Sequence, residues 1–295
     1  MGKILSSPNF SEGKSTQIIE EIVFPARGKD SVKLIDYSSD PDHNRSVVTV
    51  IGEPEAVIEV LFEMSRKAVS LINLNNHSGQ HPRCGAIDVI PLVPLEGITV
   101  EDCVKYAYEL GELLARELKL PVYFYGEAAL KEERRDLSDV RKGGLEAIKE
   151  DIKMGKRLPD IGPLQPHPTA GCVIVGVRDF LVAFNINLAT SNLEIAKRIA
   201  SSIRERGGGI VGLKALGISL VSRGIVQVSM NVTKPFQTPL YRIFELVKME
   251  ARRYGVEVES AEIIGPVPLK VIVESLCYYL SLKDFKLEQI VDIHL

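Results

Sequence analysis

The sequence has few cysteines and no long apolar run, and both absences exclude classes of protein. Its four cysteines are widely separated and none belongs to a CxxC pair, which excludes a zinc ribbon and a disulfide framework. No run approaches the roughly 20 apolar residues of a membrane span. The first residues are polar where a signal peptide has its apolar core. We therefore expect a protein of the reducing cytoplasm with no membrane partner.

Concentrated charge of one sign is also missing. The chain carries 36 basic and 39 acidic residues, a net charge of -3, without a long block of either sign. A nucleic-acid-binding surface needs clustered positive charge, so we expect no nucleic acid partner. An anionic ligand would have to be met by a small local cluster of basic side chains.

The composition is otherwise that of an ordinary globular protein. Hydrophobic residues make up 45% and charged residues 25% of the 295 positions, which provides apolar material for a sizeable core. A chain of this length is too long to fold around one small core, so we expect two domains of ordinary size.

Strand and helix patterns alternate along the first half. Segments rich in β-branched residues predict strands, and apolar residues at helical spacing predict amphipathic helices. The resulting order is βαββαβ followed by one more helix and strand, with strands at 3–5, 32–37, 46–52, 86–94 and 121–126 and helices at 15–24, 54–72 and 99–119. Residues 130–158 are charged and partly helical, and the Pro- and Gly-rich stretch 159–171 predicts a linker or a ligand loop.

The second half repeats this pattern. An extended segment and a helix lead to a hairpin and then to a helix, a strand and a last helix, at 173–188, 192–206, 213–233, 239–254, 256–264 and 268–281. We therefore predict an α+β protein of two ferredoxin-like βαββαβ subdomains, residues 1–176 and 177–295, with mainly antiparallel sheets and helices packed on one face. The junction of the two subdomains is the expected place for a ligand.

The polar segment at 75–85 is the most informative stretch for chemistry. His81 precedes Pro82, which restricts the histidine backbone to extended conformations and would fix the direction of the imidazole. Arg83 offers a permanent positive charge for a carboxylate, and Asp88 is placed to orient or charge-balance a neighbour. Under the alternative interpretation, His81 is only a polar loop residue.

Metal and thiol chemistry are not favoured. His77 and His81 are four residues apart, a spacing that aligns two ligands only on a helix, and Gly79 argues against a helix there. No metal site is therefore predicted. Cys84 and Cys172 stand at the start of apolar strands, and we interpret both as core residues rather than nucleophiles.

Two other loops carry polar side chains at strand ends. Asn9, Ser11 and Glu12 follow the first strand, and residues 40–45 join the second and third. Both loops have the composition of a ligand-binding loop and also that of an ordinary turn. Taken in isolation, the residue pattern favours the ordinary turn in both loops.

Paired amide side chains mark two strands of the second half. Asn185 and Asn187 lie two residues apart and so point to the same face of their strand, and Gln227 and Asn231 repeat this arrangement in a neighbouring strand. Two such stripes facing a cleft would form an amide-rich pocket. The alternative is a purely structural polar network.

Seven motifs, in order along essentially the whole chain, resemble the formiminotransferase domain of glutamate formiminotransferases. They are PNFSEG (8–13), DPDHNRS (40–46), GQHPRCGAIDVIPLVP (79–94), VYFYGEAA (122–129), PDIGP (159–163), AFNINL (183–188) and QVSMN (227–231). The resemblance implies two α+β subdomains with folate between them, a homodimer, and tetrahydrofolate as co-substrate. Relatives with a second activity append a cyclodeaminase, and we expect this chain to be the stand-alone formiminotransferase domain.

The resemblance also implies a reaction and a catalytic residue. The reaction moves a formimino group from N-formimino-L-glutamate to nitrogen 5 of tetrahydrofolate, through a tetrahedral carbon bonded to two nitrogens. One proton must leave the attacking amine and another must reach the departing nitrogen. His81 matches the family's catalytic histidine and would act first as the base and then as the acid.

Binding roles follow on the same basis. The family's folate-contacting segment corresponds to Gly162, Pro163, Leu164, Gln165, Pro166, His167, Pro168, Thr169, Ala170 and Gly171. The carboxylate that orients His81 would be Asp40, Asp42 or Asp88, and a glutamyl carboxylate would be held by Arg45 and Arg83. The pterin or the charged intermediate would be bound by the amides of Asn9, Asn185, Asn187, Gln227 and Asn231. Ser11 and Glu12 are the remaining residues assigned to substrate or folate binding.

Two alternative functions remain open at this point. The same fold and histidine would serve a formyltransferase that uses formylglutamate, or an activity that salvages 5-formyltetrahydrofolate. A non-catalytic folate-binding protein is the alternative from another class, and the intact HPR motif argues against it.

Overall fold

The computed structural model describes residues 2–41, 43–79, 83–95 and 97–294. The predicted catalytic His81 and the alternative carboxylate Asp42 lie outside the described residues. The chain divides into two compact units, Met1–Arg178 and Asp179–Leu295.

The first unit is built on one mixed sheet. Its strands are β1 (Ile4–Ser6), β2 (Asn9–Phe10), β3 (Val32–Asp40), β4 (Arg45–Gly52), β5 (Ile87–Pro94), β6 (Val122–Gly126) and β7 (Val173–Val177). Its helices are α1 (Thr16–Val23), α2 (Pro54–Leu71), α3 (Val100–Leu118), α4 (Leu137–Val140) and α5 (Gly144–Lys153).

The strand pairing explains how the first unit differs from a plain βαββαβ unit. Strands β1 and β2 both pair antiparallel with β4 and with β5, and β3 pairs with the other side of β4. This gives the strand order of a ferredoxin-like sheet. The chain then continues through α3 to β6 and through α4 and α5 to β7, which lies between β5 and β6 and is parallel to both.

Helix α3 illustrates why these segments fold locally. Thr99 and Asp102 form a capping box that satisfies backbone N–H groups at the first turn. Leu110 and Leu114 follow at helical spacing and are fully buried, and each such burial stabilises the fold by about 1.5–3 kcal/mol. Every residue of β5 except Pro94 is buried, as expected for a strand in the middle of a sheet.

The second unit is a four-stranded antiparallel sheet in the order β11-β8-β10-β9. Its elements are β8 (Val182–Leu188), α6 (Leu193–Ile203), β9 (Leu213–Leu220), β10 (Ile225–Val232), α7 (Leu240–Arg252), β11 (Val258–Ile264) and α8 (Leu269–Leu280). The predicted α+β class with mainly antiparallel sheets in two domains is confirmed. The predicted extended run 173–188 is instead two strands, β7 and β8, separated by the boundary between the units.

Within the part of the chain that the structure describes, no helix has both the length and the apolar character that crossing a membrane requires.

Candidate functional site

The loop after β2 lies against the segment that leads into β5. Ser11 is buried, its hydroxyl donates to the carbonyl of Gly85 at 2.7 Å, and its backbone N–H donates to the carbonyl of Ala86 at 2.9 Å. Gly85 has no room for a side chain, since an added Cβ would lie 1.7 Å from the carbonyl oxygen of Cys172. Two of the predicted site loops are therefore in direct contact.

Asn44 connects these two loops with the predicted loop at 40–45. Its side chain accepts from Gly13 N–H at 2.9 Å and donates to the carbonyl of Ser78 at 3.0 Å, and its own carbonyl lies 3.0 Å from Nε2 of His77. Asn44 has a left-handed backbone with φ of 50°, a conformation that asparagine tolerates better than most residues. The sequence analysis treated it only as a turn residue.

Asp40, one of the carboxylates predicted to orient His81, has a different histidine beside it. Its Oδ2 is 2.8 Å from Nδ1 of His43, and its Oδ1 accepts from the His43 backbone N–H at 2.9 Å. Both side chains are about half exposed. A role of Asp40 toward His81 stays a prediction.

Asp88 is a buried carboxylate in contact with the residues that follow His81 and Pro82 in the sequence. Its Oδ1 accepts from the backbone N–H of Cys84 at 2.7 Å, and its Oδ2 lies 2.5 Å from Nη2 of Arg141. Burial raises the pKa of the Asp88 carboxyl, whereas Arg141 and the Cys84 N–H act in the opposite direction. Arg141 was missed by the sequence analysis, and Asp88 as an orienting group for His81 stays a prediction.

The two arginines predicted to hold a glutamyl carboxylate both lie in this region. Burial lowers the pKa of Arg45, the nearby Arg141 lowers it further, and Asp88 raises it. The Arg83 side chain is 20% exposed and its Nη2 lies 3.2 Å from Oε1 of Glu146. A planar guanidinium can bind a carboxylate through two parallel hydrogen bonds, so the region has the groups that recognition of an anionic substrate requires.

The segment predicted to contact folate, Gly162 to Gly171, is attached to residues 74–86. Leu74 N–H donates to the carbonyl of Thr169 at 2.8 Å, and Ala86 N–H donates to the carbonyl of Ala170 at 2.8 Å. These backbone contacts hold the end of the segment beside Leu74 and Ala86. Earlier in the segment, the side chain of Leu164 is 61% exposed.

His167 stabilises the turn at the end of this segment. Its Nδ1 accepts from the backbone N–H of Ala170 at 3.1 Å and of Thr169 at 3.3 Å. Nδ1 must therefore be unprotonated, and burial lowers the pKa of the imidazole. His167 acts on its own loop here, and its predicted contact with folate stays a prediction.

Glu12 and Asn9 make local contacts. The carboxylate of Glu12 accepts from the backbone N–H groups of Lys14 and Ser15 at 2.7 and 2.8 Å, and the amide of Asn9 donates to the carbonyl of Ser7 at 3.0 Å. These are the contacts of an ordinary turn. Binding roles for both residues stay predictions.

In the second unit, the two predicted amide stripes are brought together. Strands β8 and β10 place Gln227 opposite Asn187, and Nε2 of Gln227 donates to Oδ1 of Asn187 at 2.8 Å. Gln227 also donates to Oε1 of Glu262 at 2.9 Å, and Asn185 donates to the same oxygen at 3.1 Å. Asn231 lies on β10, the strand of Gln227, and its side chain is exposed. The sequence analysis missed Glu262, although its alternation in β11 places it on this face.

The cysteines beside the site are packed in the interior. Cys84 and Cys172 are both fully buried, and burial raises the pKa of Cys172 to about 12. A thiol must ionise to act as a nucleophile, so the structure supports the predicted packing role. Among the described residues, no three His, Cys, Asp or Glu side chains are grouped as a metal site would require.

Both units of the chain match models of a known protein family. Residues 3–178 match the family model described as "Formiminotransferase domain, N-terminal subdomain", and residues 183–295 match the model described as "Formiminotransferase domain".

Three relatives extend this comparison. The chain is 44% identical to the "Glutamate formimidoyltransferase" of Streptococcus pyogenes serotype M1, over 100% of this chain and 99% of that protein. It is also 44% identical to the protein of the same name from Thermoplasma acidophilum, over 94% of this chain and 92% of that protein. It is 38% identical to the "Formimidoyltransferase-cyclodeaminase" of Mus musculus, covering 92% of this chain but only 51% of that longer protein.

Proposed function

The chain belongs to the formiminotransferase family, and from this premise we propose that it transfers a formimino group from N-formimino-L-glutamate to tetrahydrofolate. Its products would be glutamate and 5-formiminotetrahydrofolate. Two relatives that match it over nearly their full length carry the name glutamate formimidoyltransferase. This is the activity that the similarity supports best.

The observation that carries the proposal in the structure is the meeting of distant loops in the first unit. Ser11, Asn44 and Thr169 belong to three separate parts of the sequence, and each contacts the segment at 74–86. That segment contains the HPR motif of the resemblance. A site assembled from several loops on a rigid sheet is the usual arrangement for catalysis.

The proposed chemistry needs one proton-transfer group and one anion-binding group. His81 would take the proton of the attacking amine and return it to the departing glutamate nitrogen, which suits an imidazole that titrates near neutrality. Arg45 and Arg83 would bind a carboxylate of the glutamyl donor. Asp88 acts electrostatically on Arg45 and accepts from the backbone N–H of Cys84, the residue after Arg83.

The amide network of the second unit would bind the pterin of tetrahydrofolate. Asn185 and Gln227 both donate to the carboxylate of Glu262, and Gln227 also donates to Asn187. A pterin ring presents donors and acceptors that such groups can match. The placement of folate between the two units stays a prediction. We also propose a homodimer, as the resemblance implies, and a cytoplasmic location, which the cysteine usage favours.

The test is a spectrophotometric assay with tetrahydrofolate as acceptor. Formiminoglutamate and formylglutamate are offered in parallel, and acid conversion to 5,10-methenyltetrahydrofolate reports transfer. We expect signal with the formimino donor that is abolished in His81→Ala and kept in His294→Ala, a matched loss of an exposed histidine from the last residues of the chain. Signal with the formyl donor alone would move the protein to formyl transfer. Folate binding without turnover by either donor would indicate a non-catalytic folate-binding protein.

A further inference from the structure

The predicted folate segment, 162–171, is preceded by residues that are attached to β6. The backbone N–H of Asp160 donates to the carbonyl of Val122 at 2.9 Å, and the N–H of Val122 donates to the carbonyl of Ile161 at 3.0 Å. Oδ2 of Asp160 accepts from the backbone N–H of Phe124 at 2.8 Å. Because β6 is the last strand on its side of the sheet, these contacts extend the sheet by one short stretch of chain.

A buried arginine completes this attachment. Arg134 lies in a single 3-10 turn, Glu132–Arg134, that follows β6. Its Nη1 is 2.5 Å from Oδ1 of Asp160, and its Nη2 donates to the carbonyl of Leu158 at 2.7 Å. The guanidinium also lies over the ring of Tyr123, 5.0 Å from the ring centre. The side chains of Arg134 and Asp160 are only 4% and 3% exposed, so one guanidinium holds the chain at 158–160 from the protein interior.

The chain leaves this attachment in a restricted direction. Gly162 has φ of 91°, and an added Cβ would lie 2.6 Å from the carbonyl oxygen of Leu120, so only glycine fits this conformation and this space. The next residue, Pro163, has one fixed backbone dihedral. Leu164 follows with an exposed side chain. The position of Leu164 therefore depends on where the preceding residues are held.

The far end of the folate segment is held separately. The carbonyls of Thr169 and Ala170 accept from the backbone N–H groups of Leu74 and Ala86, each at 2.8 Å. Arg134 takes no part in these contacts. A change at Arg134 should therefore move the beginning of the segment and leave its end in place.

We propose that Arg134 is a positioning residue for tetrahydrofolate binding, because it holds Leu158 and Asp160 on β6 and so places the beginning of the folate segment. The inference rests on the proposed function for its effect on folate. A buried ion pair often contributes no more stability than apolar side chains of the same volume. The planar guanidinium provides geometry instead, since it fixes two acceptors and one ring at the same time.

The size of the effect follows from the fraction of molecules that keep the segment in its binding position. Without Arg134 the beginning of the segment should leave β6 for part of the time. If the binding-competent fraction falls to about a tenth, the apparent affinity for tetrahydrofolate falls about 10-fold. The turnover number at saturating tetrahydrofolate should stay close to that of the wild type, because the bound state is the same.

The kinetic test compares Arg134→Met with the wild type in the transfer assay. We expect the KM for tetrahydrofolate, and its Kd from titration calorimetry, to rise about 10-fold with kcat nearly unchanged. Arg134→Lys keeps the charge but not the planar fork, so its values should be intermediate. Arg66→Met is the matched control, since it removes an exposed arginine of α2. Leu61→Ala lowers stability from a buried position on the same helix, and neither control should change the affinity.

Amide exchange tests the structural part of the inference without any ligand. The protection factors of the Asp160 and Val122 amides should decrease in Arg134→Met relative to that of Ala86, whose N–H is bonded to the far end of the segment. In Leu61→Ala the three amides should keep their relative protection. Unchanged relative protection in Arg134→Met would overturn the inference.

The affinity measurement separates failure of the inference from failure of the proposed function. An unchanged affinity for tetrahydrofolate in Arg134→Met, with turnover intact, would overturn the inference and leave the proposed function standing. A wild type that binds tetrahydrofolate but transfers neither group would refute the transfer, and the affinity of Arg134→Met would still decide the inference. A wild type that binds no tetrahydrofolate would overturn both. Should Arg134→Met fail to fold because Asp160 stays buried and charged, the double variant Arg134→Met/Asp160→Asn removes both charges and provides the same comparison.

Discussion

Replacing Asn44 by alanine should destabilise the first unit more than any surface substitution. The reason is that its side chain connects the loop at 40–45 with the loops that contain Gly13 and Ser78. The amide accepts from Gly13 N–H and donates to the carbonyl of Ser78, and the residue is 7% exposed. An alanine at this position makes neither contact. It also adopts a left-handed backbone less readily than asparagine does.

The expected decrease in the free energy of unfolding is the sum of these three losses. The Gly13 N–H is buried, and an unsatisfied buried donor costs about 1–3 kcal/mol. Ser78 is exposed, so water can replace the contact to its carbonyl and that loss adds little. The left-handed backbone at Asn44 adds about 1 kcal/mol. We therefore expect Asn44→Ala to lower the free energy of unfolding by about 3 kcal/mol in total.

Urea unfolding and amide exchange would measure this loss. A decrease of about 3 kcal/mol corresponds to roughly 10²-fold faster exchange of the Gly13 amide if that amide exchanges by the opening that Asn44 prevents. Two variants separate the contributions: Asn44→Gly keeps the backbone conformation and loses the side-chain contacts, whereas Asn44→Asp keeps the acceptor for Gly13. A stability of Asn44→Ala within about 0.5 kcal/mol of the wild type would refute the reasoning.

Two other predictions concern the predicted folate segment and the amide network. Burial lowers the pKa of His167 below its ordinary value of 6.5, so the unfolded segment binds more protons, and its stability should fall as the pH drops below about 6.5. The measurement is the protection factor of the Ala170 amide, which is its exchange rate relative to the intrinsic rate at the same pH. A smaller protection factor at about pH 5.5 than at about pH 7.5, absent in His167→Asn, would support this; an equal response of both proteins would contradict it. Gln227→Leu leaves the buried acceptor of Asn187 without its donor and removes one of the two amide donors to Glu262. It should cost about 1–3 kcal/mol in urea unfolding, whereas an unchanged unfolding midpoint would show that the network is dispensable.

Regular elements were predictable from the sequence because their signals are local. The stripe of α3, the capping pair Thr99 and Asp102, and the β-branched runs of β4 and β10 each depend on neighbours within one element. The parallel addition of β6 and β7 to the first sheet was not predicted. Hydrophobic periodicity defines a strand and its buried face but not its partner, and β7 joins β5 only after a connection through α4 and α5.

The same distinction between local signals and distant partners applies to the candidate site. Residue type and spacing identified Ser11, Asp88 and Gln227 as polar groups in unusual places, and each does lie in a buried network. The groups that complete those networks are distant in sequence, as with Arg141, which is 53 residues from Asp88, and Glu262, which is 35 residues from Gln227. No local pattern marks an arginine in a charged helical segment as the partner of a particular carboxylate.

These distant partners also explain why the site can be both polar and stable. A buried carboxylate or amide lowers stability unless its hydrogen bonds are satisfied, and the first unit satisfies Asp88 with a backbone N–H on one side and Arg141 on the other. The same contacts also fix the backbone of Cys84 beside the buried carboxylate. If the predicted site assignments hold, substitutions at Asn44 and Arg141 should lower both stability in urea unfolding and turnover in the transfer assay, whereas a core substitution such as Leu110→Ala should lower stability alone.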